Sequence, residues 1–355
     1  MIKILIGEIS SYKAIVIARF IKLHYSNVLV YTFDFQKTTK YIKTKYSDNH
    51  FLVFNPRKDK KKYLEELSDI VNKFKIDFFI PVNSNYIGEI LKNRELFSHT
   101  LSYYGPTSSY EILNNKLLLF NFLKNNVSLN IMPKHYETIE GAEMPFVYKP
   151  QSSSSSKGVI YFMSENDLIK NKTKIKDTGI IQQYVDGVGI GFSCFAVNGE
   201  IKKYYSHLRL IEFPLSGGSS LYRESYNDNR LFDIVAPIVK KLNWSGLAMF
   251  EFKLTKDNQI YLIEVNPRVW GSINQGLLNG VNFFSPILGN TILPKNTNNY
   301  KTYVSPLIYY AFLKLLFKFK FKPILNFIKN IKHNKPDVSI FYDFNGYMSI
   351  ILRKI

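Results

Sequence analysis

Apolar positions in the first hundred residues alternate between short runs and helical stripes. Residues 2–6 form an apolar run closing at Gly7, residues 14–23 carry apolar side chains at helical spacing, and residues 28–33 form a second run ending at Asp34. Strand, helix and strand in that order predict a βαβ unit with parallel strands. Further strands are predicted at 51–54 and 77–82, with a helix over 60–74 between them. The pattern reads as a parallel sheet of Rossmann-like type, ending near Tyr104-Gly105-Pro106. The turn after the first strand, Gly7-Glu8-Ile9-Ser10-Ser11, has one glycine. It lacks the spacing of a dinucleotide loop, so the unit is read as a structural or substrate-holding domain.

From Thr107 the pattern changes. Helical segments at 107–113 and 116–124 precede a strand at 145–149, then Pro150-Gln151, five serines (152–156), Lys157, Gly158 and a strand at 159–163. Small residues between two strands let backbone N–H groups and hydroxyls approach an anion, which fits a flap over phosphates. The competing reading is a serine-rich linker. A strand at 180–185 leads through a glycine-containing turn at 186–191 into a strand at 192–197. Asn198-Gly199 marks a hairpin returning through 201–205. His207-Leu208-Arg209 follows, then small residues at 214–220 and Arg223-Glu224-Ser225, read together as a loop that carries the arginines. Arg209 and Arg223 are either anion-binding forks or surface arginines. An amphipathic helix spans 228–242.

Two apolar runs, 248–254 and 260–265, flank Thr-Lys-Asp-Asn-Gln and predict a second hairpin. With the turn centred on Asp257-Asn258, Phe252 faces Ile263 and Glu251 faces Glu264. Glu251, Glu264 and Asn266 then share one face, and Phe250, Phe252, Ile263 and Val265 the other. Opposed carboxylates destabilise a hairpin unless a cation lies between them or water solvates both. A hard divalent ion such as Mg²⁺ suits this oxygen set.

The net charge of +19 raises the question of nucleic acid or an anionic membrane. Only eight of the 47 basic residues are arginine, and the lysines are dispersed among Asn and Ile. That composition follows A/T-rich coding, and no nucleic-acid partner is expected. The one cysteine, Cys194, fits a reducing cytosol. A cytoplasmic location is expected, with no signal peptide at the start and no run long enough to span a membrane. Residues 307–321 are rich in Leu, Phe and Tyr, with Lys314, Lys318 and Lys322 four apart. Such a helix either packs on the body with its lysines in water or gives peripheral membrane contact through 307–322.

The elements in this order, with Glu251 and Glu264-Val265-Asn266-Pro267-Arg268 as the most specific part, resemble the ATP-grasp superfamily. His207-Leu208-Arg209, Gly217-Gly218-Ser219 and Trp270-Gly271-Ser272 resemble a bacterial branch described as carboxylate–amine ligases. The resemblance covers most of residues 1–290. It implies an α/β and α+β chain with a Rossmann-like domain at 1–106 and an ATP-grasp domain at 107–290. The latter divides into subdomains of about 107–188 and 189–290, and a helical C-terminal extension follows at 291–355.

The resemblance also implies roles. Lys116 and Lys149 contact phosphates, with Ser154, Ser155, Ser156 and Lys157 in the flap. Gln182, Gln183, Tyr184 and Val185 form the adenine hinge. Glu251, Glu264 and Asn266 hold Mg²⁺ or Mn²⁺, and Arg268 faces the γ-phosphate. Arg209 and Arg223 are candidates for the acceptor carboxylate or an oxyanion, and His207 is a weak candidate base. The flap is serine-rich where the family is glycine-rich, and the family's ribose-holding carboxylate falls on Gly189. The expected reaction is ATP-dependent joining of a small-molecule carboxylate to an amine through an acyl phosphate. The alternatives are a bicarbonate-using carboxylase or carbamoyl-phosphate-type enzyme, and a non-catalytic ATP-binding protein.

Overall fold

The computed structural model describes residues 1–35, 43–101, 103–127, 131–152, 157–175, 178–215, 217–291, 293 and 299–352. The first group of elements is β1 (Ile2–Ile6), α1 (Tyr12–His24), β2 (Val28–Phe35), β3 (Asn49–Val53), α2 (Lys60–Phe74), β4 (Phe78–Ile80) and α3 (Ser84–Lys92). Their strands form a parallel sheet in the order β3-β2-β1-β4. The apolar runs read from the sequence become strands here because both faces are covered: Ile4, Leu5 and Ile6 are fully buried. Asp59 caps α2 by accepting from the Lys62 N–H, and Lys75 in the left-handed region ends it.

The next group is α4 (Thr107–Asn114), α5 (Lys116–Asn126), β5 (His135–Tyr136), β6 (Phe146–Pro150), β7 (Ile160–Phe162), α6 (Glu165–Asn171) and β8 (Gly179–Gln183). Its antiparallel sheet runs β5-β8-β6-β7 around a small core of Tyr136, Phe146, Tyr148, Phe162 and Ile181. Asn115 caps α5 by accepting from the Leu117 and Leu118 N–H groups, which fixes where Lys116 begins its helix.

The remaining elements are β9 (Val188–Val197), β10 (Glu200–Phe213), β11 (Ser219–Ser225), α7 (Asn229–Lys241), β12 (Gly246–Leu254), β13 (Ile260–Asn266), α8 (Ile273–Leu278), α9 (Ser285–Leu288), β14 (Lys301–Tyr303), α10 (Leu307–Phe317), α11 (Lys322–Lys329), β15 (Asn334–Pro336) and α12 (Phe344–Leu352). Their strands form a seven-stranded sheet in the order β13-β12-β9-β10-β11-β14-β15. The C-terminal segment is mainly helical, and it also supplies β14 and β15 to the far edge of this sheet. Two short strands inside a polar and aromatic stretch carry no period that would reveal them.

Three sequence readings change in detail. β9 starts at Val188, so Gly189 and Gly191 lie inside a strand rather than in a turn. Arg223 sits on β11 rather than in a loop. The 307–321 stripe breaks: α10 ends at Phe317, Phe319 takes φ +54°, and α11 starts at Lys322. Lys314, Lys318 and Lys322 therefore do not share one continuous helix face.

Candidate functional site

The site is built on the hairpin of β12 and β13. Glu251 pairs with Glu264, Phe250 with Val265 and Met249 with Asn266, as the sequence predicts for the carboxylates. Phe252 pairs with Leu262 instead of Ile263, because a bulge lies between Glu251 and Phe252. The loop beyond is also one residue longer than a two-residue turn. The Thr255 N–H bonds Gln259 O at 3.0 Å, and Asn258 takes φ +65°. The bulge cancels the longer loop, and the carboxylates end in the register first inferred.

Around this pair the structure gathers cations and an amide. Lys116 Nζ lies 3.2 Å from Glu264 Oε2, and Arg209 Nη2 lies 2.5 Å from Glu251 Oε2. Asn266 Nδ2 donates to Glu251 Oε1 at 3.0 Å and to Glu264 Oε1 at 3.2 Å. Arg268 Nη2 donates to Asn266 Oδ1 at 2.6 Å, and its Nη1 to Val269 O at 2.9 Å. Lys149 Nζ donates to Gln182 Oε1 at 3.1 Å on the neighbouring strand.

The electrostatics separate the two carboxylates. Burial pushes the Glu251 carboxyl up, and Glu264 adds to the rise against the pull of Arg209. Burial also raises Glu264, yet Lys116 and Lys149 outweigh it and hold Glu264 below the ordinary carboxylate range. Burial brings Lys149 down to about 8, with Lys116 adding to the fall and Glu264 opposing it. A cluster of cations beside two partly buried acids at 251 and 264 is suited to polyanion binding.

Strand β9 explains how Arg209 reaches Glu251. Gly191 pairs with Glu251 on one side and His207 on the other. A Cβ on Gly191 would lie 2.2 Å from the His207 ring, and one on Gly189 would lie 2.6 Å from Glu212 Oε1 and 2.9 Å from Arg209 Cδ. The two glycines therefore leave the floor between β10 and β12 open for side chains of the neighbouring strands. Glu212, which sequence reasoning missed, accepts from Arg209 Nη1 at 3.2 Å. Its only sequence signal is the three-residue spacing from Arg209, and that spacing does not predict contact on a strand. The bulges after Arg209 and Ile211 produce it.

His207 is a buried residue whose Nε2 has no partner among the described residues. Burial, then Arg209 and Arg223, hold its ring well below the usual histidine value. That makes it a neutral side chain packed on Gly191.

Arg223 is a correction. Its side chain has no exposure. Nε donates to Thr302 Oγ1 at 2.8 Å, Nη1 to Ser220 O at 2.8 Å, and Nη2 pairs with Asp337. With its fork occupied, Arg223 cannot receive an acceptor carboxylate. It ties β11 to the C-terminal segment.

Of the hinge, Gln182 is buried and holds Lys149, while Gln183 is exposed. The N–H groups of Gln183 and Tyr184 bond Lys134 O and Pro145 O. A nucleobase would have to use the Val185 N–H or carbonyls of this segment. Tyr184 meets Tyr161 of β7 edge to face, ring centroids 5.9 Å apart. Lys157 is exposed at the end of the serine stretch, and Ser154, Ser155 and Ser156 lie outside the described residues. Helix α1 of the amino-terminal group reaches the side near Arg268, where Lys13 Nζ donates to Val269 O at 3.3 Å.

Residues 113–272 match the family model described as ATP-grasp domain. That span runs from just before Lys116 to just after Arg268 and takes in the hinge and the metal-type hairpin. This chain carries an ATP-grasp domain. Solved structures share the ATP-grasp fold across most of the chain. A biotin carboxylase from Campylobacter jejuni is 14% identical, covering 82% of this chain and 72% of its own, with a TM-score of 0.65. An L-amino acid ligase from Bacillus licheniformis is 18% identical, covering 84% and 76%, with a TM-score of 0.62. An N5-carboxyaminoimidazole ribonucleotide synthetase from Thermotoga maritima is 16% identical, covering 83% and 78%, with a TM-score of 0.60. A search of curated protein sequences found no match.

The residues of this ATP-grasp domain fit a divalent cation by the chemistry of the donor set. Among the described residues no cluster of three or more His, Cys, Asp or Glu is present. The set is instead two opposed carboxylates, joined by the Asn266 amide oxygen only once that amide turns its Oδ1 from Arg268 toward them; this is the incomplete oxygen shell that Mg²⁺ completes with water and substrate phosphates.

Proposed function

We propose that this chain is an ADP-forming ligase that activates a small-molecule carboxylate as an acyl phosphate and joins it to an amine. The observation that carries the reading is the register of the hairpin, which sets Glu251 against Glu264 with Asn266, Lys116, Lys149 and Arg268 around them. In this reading the nucleobase rests against residues 182–185 and the triphosphate runs toward the hairpin. Glu251, Glu264 and Asn266 would hold Mg²⁺ or Mn²⁺, which when bound neutralises charge on the phosphates.

A carboxylate resists attack by an amine because its leaving group would be oxide. An acceptor carboxylate oxygen attacks the γ-phosphorus of ATP, the bond to the β–γ bridging oxygen breaks, and ADP leaves. The amine nitrogen then attacks the acyl carbon, the carbon–oxygen bond to phosphate breaks, and phosphate leaves as the amine loses a proton. Transfer of this kind depends on positioning and charge compensation. Lys116, Lys149 and Arg268 supply the charge, and Arg209, paired with Glu251 and Glu212, would meet an oxyanion only by releasing one of those carboxylates.

The test is ADP release with Mg²⁺ over pools of carboxylates and amines, followed by mass spectrometry of the product. An amide made only when both pools are present supports the ligase. ADP released with bicarbonate and no amine would replace it by carboxylation, the activity named for the Campylobacter jejuni structure. No nucleotide turnover with any pool would leave ATP binding alone. The expected setting is the cytoplasm.

A further inference from the structure

The α10–α11 hairpin has two apolar faces, and the body of the protein needs only one. Ile308, Ala311 and Leu315 turn inward and pack in a cluster with Leu221 and Tyr222 of β11 and Phe327 of α11. The outward face is also apolar: Leu313, Leu316, Leu325 and Ile328 are exposed. At the tip, Phe317-Lys318-Phe319-Lys320-Phe321 alternates ring and cation, with Phe317 80% and Phe319 82% exposed. Phe319 reaches this position through its left-handed backbone, φ +54°. Exposed aromatic rings grouped in this way mark an interaction surface.

The charge around the rings selects the partner. Residues 301–336 contain no Asp or Glu, while Lys314, Lys318, Lys320, Lys322, Lys329 and Lys332 are all exposed. Leu210, the residue after Arg209, floors a groove of about 490 Å³ with Lys322, Pro323, Leu325, Asn326 and Lys329 along it. Apolar rings ringed by cations, beside a groove with lysines at its rim, match a surface of anionic headgroups over hydrocarbon. Among the described residues no helix is long and apolar enough to cross a membrane, so contact would be at one leaflet.

We infer that the α10–α11 hairpin seats this protein on an anionic phospholipid bilayer, with Phe317, Phe319 and Phe321 entering the interface and the surrounding lysines meeting headgroup phosphates. The inference is independent of the ligase reading, since it uses none of the ATP-site residues.

Co-sedimentation of the full chain with vesicles tests it. The protein should pellet with equal parts phosphatidylglycerol and phosphatidylcholine, release as salt rises, and stay in solution with phosphatidylcholine alone. Each lysine at such a surface strengthens binding about fivefold. K318E/K320E should therefore weaken it at least about tenfold, and F317S/F319S/F321S should do the same without altering thermal melting. K58E/K124E, exposed lysines elsewhere, should bind as the parent does. The inference is overturned by no pelleting with anionic vesicles, by parent-like binding of the two hairpin variants, or by an equal loss in K58E/K124E. It is also overturned if sedimentation velocity gives a dimer of the parent that F317S/F319S/F321S dissociates, because a second copy would then cover the face.

Discussion

Removing Arg223 should unfold the far edge of the central sheet rather than impair acceptor use. Arg223 and Asp337 are both fully buried and paired. Two further Arg223 bonds, to Thr302 and to the Ser220 carbonyl, join β11 to β14 and brace the start of β11 itself. Arg223→Ala deletes all of these and leaves the Asp337 carboxyl buried without its paired cation. Breaking one partner of such a pair costs about 3–5 kcal/mol. Asp337→Ala should cost a similar amount, because it strands the guanidinium instead. The double variant R223L/D337L should lose clearly less than the sum, since no charge then remains buried. Urea denaturation followed by tryptophan fluorescence gives the three values and their coupling. An Arg223→Ala protein with unchanged urea midpoint and a raised KM for the acceptor alone would refute the structural assignment.

Two other outcomes follow from the site. Glu264→Gln should lower ATP turnover on the order of 100-fold or more, the scale of losing one charge-stabilising group at a phosphoryl centre, with an unchanged circular dichroism spectrum; full activity would sink the metal assignment. Lys149, brought down to about 8 in the free protein, should be driven to its cationic form by ATP. Binding at pH 8 should therefore take up about half a proton and weaken at higher pH, read by calorimetry in buffers of different ionisation enthalpy; a heat independent of buffer would contradict it. Because this folded value lies below the free-lysine value of 10.5, the same group should add stability to the free protein as pH rises from 8 toward 10.5.

The fold and the core of the site were legible where local pattern and tertiary environment agree. The helix at 60–74 matched α2 to the residue, since its apolar stripe and its Asp59 cap point the same way. The Glu251–Glu264 pairing was legible because strand alternation and turn residues set it. Arg223 was misplaced because its partner Asp337 lies 114 positions away and nothing local announces a buried ion pair. Gly189 and Gly191 suggested a turn, since composition alone does not distinguish a flexible glycine from one that yields space to Arg209 and His207. The break at Phe319 was hidden by unbroken apolar and basic periodicity on both sides of it.

The bulge between Glu251 and Phe252 also separates the hairpin into two mechanically distinct parts. Below it, the carboxylates are held by β9 and by Asn266. Above it, the loop at 255–259 keeps its own hydrogen bonds between Thr255 and Gln259. A change of loop length can be absorbed at the irregular step before it reaches Glu251. The loop is thus a natural graft point, where an inserted reporter or tag would sit a few residues from Glu251 and Glu264 while the carboxylate register stays fixed.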